Sequence, residues 1–162
     1  MKKQWISSFC LLCFVVFASA GNAQQDWHTT GNIVNTNDSD FVGTLNLMPL
    51  NFRVGNTRAG RIDPQGRVFL GYQAGNANAP IDNTGIGYGV LSQVNAQGTG
   101  NTGLGCEALH SNTSGSFNTA VGGYALEHNM TGILNTAVGW EAMKFNTAGY
   151  YNTALGFQSL KA

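Results

Sequence analysis

The chain has 162 residues, a formal net charge of zero and only 10% charged residues, against about 25% in ordinary soluble domains. Neutrality argues against capture of nucleic acid or anionic lipid by a basic face, and 43% hydrophobic residues with so few charges argue against a disordered chain. The 22 glycines, with abundant asparagine, suit a chain whose side chains stack on copies of themselves.

Residues 1–23 read as a signal peptide. Lys2 and Lys3 form a positive start, Ile6 to Phe17 is an apolar run, and Ala18-Ser19-Ala20 and Gly21-Asn22-Ala23 offer small residues for cleavage. The run is shorter than the roughly 20 residues of a membrane-spanning helix. Export to the extracellular space or cell surface is therefore expected, with no transmembrane segment after signal removal. Cys10 and Cys13 fall in this run outside any lipobox context, which leaves Cys106 alone in the mature chain. A single cysteine forms no internal disulfide. It reads as a small buried hydrophobe rather than an intermolecular bridge.

Residues 24–66 form a separate N-terminal β-hairpin module. Alternation in LNLMPLNFRV, with turn signals at Gly55-Asn56 and Pro64-Gln65-Gly66, predicts two or three short strands in hairpins. Arg53, Arg58, Arg61 and Arg67 make the one basic cluster of the chain. Beside Asp40 and Asp63 it reads as a solvated strand face rather than a nucleic-acid or glycan site.

From Arg67 to Ala162 the sequence repeats. Segments NTGIG, NTGLG, NTAVG, NTAVG and NTALG start at Asn83, Asn101, Asn118, Asn135 and Asn152, separated by 18, 17, 17 and 17 residues, and a degenerate RVFLG starts 16 residues earlier at Arg67. With each start taken as position 1, position 2 is Thr84, Thr102, Thr119, Thr136 and Thr153, and position 4 is always aliphatic. Position 5 is Gly71, Gly87, Gly105, Gly122, Gly139 and Gly156. Position 8 is small, as in Ala108 and Ala125, and position 9 is apolar, as in Leu109 and Leu126. A second asparagine column runs Asn78, Asn95, Asn112, Asn129 and Asn146, followed by glycines at 98, 115, 132 and 149.

These columns predict an all-β fold, a parallel β-solenoid of about 17 residues per coil. The NTxxG run is strand-like, and its glycine permits a sharp corner. Asn-x-x-Gly is a turn signal, since both residues tolerate positive φ. Each coil then has two extended sides and two corners, and the stretch typified by YALEHN is compatible with one short helical turn. A lone coil buries too little to offset about 1–2 kcal/mol of backbone entropy per residue, so stability has to come from stacking. The asparagines Asn83, Asn101, Asn118, Asn135 and Asn152 are expected to form a hydrogen-bonded structural ladder beside the glycine column.

No reaction chemistry is evident. His28, His110 and His128 lack metal-ligand spacing, and pairs such as Gly85-Ile86-Gly87 arise from repeat corners rather than from a dinucleotide site. An enzyme is not expected, and no cofactor is implied. Tyr72, Tyr88, Trp140 and Phe157 share position 6 and are expected to pack in the seam between coils or subunits; exposed, they would instead form a stripe for a glycan or protein ligand. The threonines at position 2 are the candidate ligand-facing residues of an ice- or glycan-binding array, provided that they point outward.

The pattern WxxTGN…FVGT…PLNFRV…RAGRI…GRVFLG resembles the N-terminal module of bacterial tail-fibre-domain proteins. The NTAVGxxAL…NTxG repeats are similar to those of the same proteins and, more distantly, of trimeric autotransporter (YadA-like) adhesin heads. That resemblance spans nearly the whole mature chain. It implies a left-handed parallel β-roll assembled as a homotrimer outside the cell, with a surface glycan or protein as possible ligand and no nucleic acid. Such proteins continue into a trimerisation, chaperone or anchor module, whereas Ala162 lies within the repeat begun at Asn152. A truncated product or a fragment of a longer fibre is therefore expected.

Overall fold

The computed structural model describes residues 47–76, 79–95 and 97–161. The predicted signal peptide, residues 24–46 of the N-terminal module and Asn78 lie outside the described residues. The described chain is all-β and folds as a β-solenoid, with eight strands in one sheet in sequence order. These are β1 Leu50–Val54, β2 Thr57–Ile62, β3 Val68–Leu70, β4 Thr84–Ile86, β5 Thr102–Leu104, β6 Thr119–Val121, β7 Thr136–Val138 and β8 Thr153–Leu155.

β1 and β2 form an antiparallel hairpin. Its two loop residues, Gly55 and Asn56, have φ of 52° and 60°, the signature of a turn whose twist matches the flanking strands. β2 pairs antiparallel with β3, and from β3 to β8 every pairing is parallel. β3 thus belongs both to the hairpin sheet and to the first coil. The register holds each column in line: Thr84, Thr102, Thr119, Thr136 and Thr153 are successive partners.

Each coil has one strand rather than two extended sides, and the YALEHN stretch is not helical. Its backbone has left-handed residues at positions 7 and 9, for example Tyr124 and Leu126 at φ of 59° and 50°. A right-handed helical turn cannot hold them. Their amides instead point along the stack in opposite directions. Tyr124 N–H donates to Cys106 O of the preceding coil at 2.8 Å, and Leu126 N–H donates to Ala142 O of the following coil at 3.0 Å. The same alternation recurs at Glu107 with Leu109 and at Glu141 with Met143. A third left-handed column closes the coil at Phe117, Leu134 and Tyr151.

The interior is filled by complementary sizes. Positions 3, 8 and 9 point inward, as Ala120, Ala125 and Leu126 do in one coil. In the first coil Phe69 fills position 3, and position 9 is Gly75, where a Cβ would strike the Phe69 ring. In the second coil Val90 replaces alanine at position 8, and Gly85 and Gly103 yield the space. Close packing at constant volume is the rule that links these substitutions.

The first asparagine column lies inside, with Asn83, Asn101, Asn118 and Asn135 fully buried. Asn118 shows the wiring. Its Nδ2 donates to Asn101 Oδ1 at 3.1 Å and to Gly132 O at 2.7 Å. Its Oδ1 accepts from the backbone N–H and Nδ2 of Asn135, both at 3.0 Å. Every polar group of the buried amide has a partner, so burial costs little. Asn112, Asn129 and Asn146 form a second ladder that shares the same glycine carbonyls: Gly132 O also accepts from Asn129 Nδ2 at 3.1 Å.

Two details differ from the sequence reading. Asn95 does not join the second ladder; it is exposed, and buried Val94 takes that inward place beside Asn112. The coil begun at Asn83 has 18 residues, and Asn95 N–H pairs with Thr113 O. Counting 17 back from Asn112 therefore lands one residue late. The glycines at 115, 132 and 149 are needed for space rather than for positive φ, because a Cβ there would collide with an asparagine amide. At position 5 φ runs from 118° to 138°, and from Gly71 to Gly139 space is demanded as well: at Gly122 a Cβ would meet the carbonyl of Gly139 in the next coil.

Candidate functional site

Alternation within the three-residue strands decides which side chains reach the surface. Position 3 is buried, so positions 2 and 4 face outward on the same side of the sheet. Thr102, Thr136 and Thr153 are exposed, and Thr84 and Thr119 are half-buried. Beside them the aliphatic column emerges, with Ile86 40%, Leu104 46% and Leu155 76% exposed, while Val121 and Val138 are half-buried. Parallel neighbours place equivalent side chains about 4.8 Å apart. The result is a pair of in-register rows, one hydroxyl and one apolar.

Position 6 lies just beyond the strand. Tyr72 and Tyr88 stack at 6.3 Å between centroids, and Trp140 meets Tyr124 edge-on at 5.1 Å. The seam packing expected of these aromatics is partial within the single chain, because Tyr72, Tyr88, Trp140 and Phe157 remain exposed. Phe117, Leu134 and Tyr151, which end their coils, are exposed as well. Cys106 occupies position 6 and is half-buried rather than enclosed. Together with Glu107 it raises the Tyr124 pKa. Positions 2, 4 and 6 carry no Asp, Glu, Lys or Arg in any coil from Asn83 onward.

From Asn83 onward, charge is confined to positions 7 and 10. Lys144 Nζ bridges Glu127 at 3.0 Å and Glu141 at 3.1 Å, and Lys161 Nζ reaches Glu141 at 2.6 Å. Hydrogen bonds from Lys161, Gln158 and Lys144 hold the Glu141 carboxyl down to about 2. The two histidines are separately engaged. His110 Nδ1 lies 3.0 Å from Ser92 Oγ and its Nε2 lies 3.2 Å from Gln93 Nε2, whereas His128 stacks on Phe145 at 5.4 Å. Among the described residues no three His, Cys, Asp or Glu side chains come together as a metal site. Among them, too, no helix is long and apolar enough to cross a membrane.

The basic cluster resolves into unequal members. Arg61 Nε and Arg67 Nε both donate to Asp63 Oδ2 at 2.6 Å, and Asp63 also accepts from Gln65 N–H at 3.0 Å. Burial opposes the Asp63 carboxylate, but Arg61, Gln65 and Arg67 outweigh it and lower the pKa. Arg53 Nη1 is turned to Asn56, 3.0 Å from its carbonyl oxygen. Among the described residues, none accepts a hydrogen bond from the buried Arg58 Nε and Nη1. Sequence reasoning treated these four residues as one solvated face, and only cross-strand register separates them. Asp40 lies outside the described residues.

Compared with protein-family models, with curated proteins and with solved structures, the chain matches none.

Proposed function

We propose that this chain is an exported, non-catalytic structural repeat protein, part of a fibre or adhesin-like assembly at the cell surface, that self-associates through its outer sheet face. The observation that carries the reading is the uncharged strip of positions 2, 4 and 6, with the coil-ending Phe117, Leu134 and Tyr151 beside it. A contiguous apolar strip on a thin solenoid is a surface to be covered. A second copy fits it, because the same columns repeat at the same interval and present no charge to repel themselves. The resemblance to tail-fibre-domain and YadA-like repeats supports a homotrimer, and the signal-like residues 1–23 support export.

The test is the mass of the secreted protein by sedimentation equilibrium, for wild type and for Leu104→Lys. A wild-type trimer that Leu104→Lys converts to a folded monomer supports the reading. A wild-type monomer overturns it.

A second reading rests on the threonine column, which does point outward. A regular hydroxyl row beside aliphatic side chains suits binding of ice or of a glycan. Ice-recrystallisation inhibition and glycan binding that Thr136→Lys abolishes would favour it over self-association.

A further inference from the structure

The outer sheet face does not end with the coils. Directly paired strand residues project on one face, so the hairpin register extends both outward rows. The position-2 row runs from Thr84 through Val68 and Ile62 to Leu50. The position-4 row runs from Ile86 through Leu70 and Gly60 to Phe52. Its character changes on the way. Each coil from Asn83 onward sets a threonine beside an aliphatic residue, whereas β1, β2 and β3 place no polar side chain in either row. Phe52 is 37%, Ile62 49% and Leu70 52% exposed, and Leu50 and Val68 are half-buried.

The terminal element of a solenoid ordinarily turns a polar outer face to water. The hairpin, which closes the described coils on the β3 side, does the reverse. Its nearby charges are engaged elsewhere: Arg61 and Arg67 pair with Asp63, and Arg53 is turned to Asn56. The Phe52 ring lies against Gly60, where a Cβ would come within 2.9 Å of it. An aromatic anchor is thus held in place on an uncharged apolar patch.

We propose that this hairpin patch is the anchor of self-association, packed against a second copy of the chain. The inference rests on the self-association proposed above and places its strongest contacts on β1, β2 and β3 rather than on the coils. An apolar core with a more polar flank is the anatomy of a protein interface, and the threonine-bearing coils supply that flank. An occupant of the patch has to match rows that continue without a break into the flank, at about 4.8 Å per strand. Another copy brings the same rows at the same interval. Phe52, already packed on Gly60, loses little freedom on docking.

Sedimentation equilibrium of the secreted chain over a concentration series tests it. Ile62→Ser and Leu70→Ser should each weaken association about thirtyfold or more, the size of an interface hot spot. Leu155→Ser, at the far end of the same strip, should weaken it less than about tenfold. Circular dichroism separates lost association from lost fold. Should Ile62→Ser unfold, maleimide labelling of Ile62→Cys in a Cys106→Ser chain reads the same contact, and labelling at least about tenfold slower in the oligomer than in the diluted monomer is expected. Association lost in Leu104→Lys but kept in a folded Ile62→Ser, or equal labelling in oligomer and monomer, would overturn the anchor and leave self-association standing. A wild-type monomer would overturn both. A monomer that floats with phosphatidylcholine vesicles would assign the patch to a lipid surface instead.

Discussion

The hairpin and the solenoid solve the burial of polar groups in opposite ways. In the coils, neutral amides stack on one another, and each oxygen and nitrogen of Asn118 finds a partner in its own coil or a neighbouring one. At the hairpin, charged groups converge on Asp63, whose side chain is fully buried between Arg61 and Arg67. The first solution can be repeated without limit, because a neutral ladder accumulates no charge. The second is a terminal device: it closes the β2–β3 corner once and leaves Arg58 over. The repeated element is therefore the neutral ladder, which cannot titrate, whereas the element that occurs once is the charged corner at Asp63, which can.

The largest effect is expected inside the ladder. Asn118→Ala removes two bonds from its own Nδ2 and two acceptor contacts to Asn135. Buried donors on Asn135 lose their acceptor, a cost of roughly 3–5 kcal/mol. Asn95→Ala, at an exposed site whose side chain accepts a hydrogen bond from Gln97 N–H, should change stability by less than about 0.5 kcal/mol. Urea denaturation of both variants measures the difference. Equal effects would mean that the ladder is not what holds the coils.

A smaller and pH-dependent effect is expected at the hairpin corner. Asp63→Asn leaves Arg61 and Arg67 without their carboxylate and should cost about 1–3 kcal/mol at neutral pH. The arginines beside Asp63 and the Gln65 N–H hold its folded pKa below the ordinary aspartate value. Its stabilisation is therefore complete above the unfolded value and is lost as pH falls through the folded one. Glu141, held down to about 2 by Lys161, Gln158 and Lys144, behaves with the same sign at the other end of the described chain. Hydrogen exchange between neutral pH and about pH 2 should show the Asp63–Arg67 corner opening before the amides of Asn118 and Asn135. Simultaneous loss would erase the distinction between the two regions.

The sequence made the solenoid legible because its columns are long-range contacts written out as periodicity. Thr84 to Thr153, the position-5 glycines and the first asparagine column repeat at the interval of the coil itself. The left-handed backbone was hidden for a physical reason. Its positions hold Glu107, Tyr124, Leu126 and Phe117, none of which prefers positive φ, and only the bonds between coils impose it. The exposure of Leu104 and Ile86 was equally hidden, since an aliphatic column reads the same whether it faces the core or a partner. Arg58 could not be distinguished from Arg61 by composition; the hairpin register alone shows which of them meets Asp63.

A small effect of the opposite sign, a gain in stability, probes the junction of the two regions. Gln73 is exposed at position 7 of the first coil with φ of 59°, and its N–H donates to Arg58 O at 3.0 Å, joining hairpin to solenoid. A left-handed L-residue costs about 1–2 kcal/mol, which glycine avoids while losing more chain entropy on folding. Gln73→Gly keeps the N–H and should raise stability by about 0.5–1 kcal/mol, seen as a small rise in melting temperature. Gly75→Ala, two residues on, also has positive φ but would drive a methyl group into the Phe69 ring, so it should destabilise. If both substitutions destabilise, the left-handed columns are not strained, and the bonds between coils hold a conformation that the local chain already prefers.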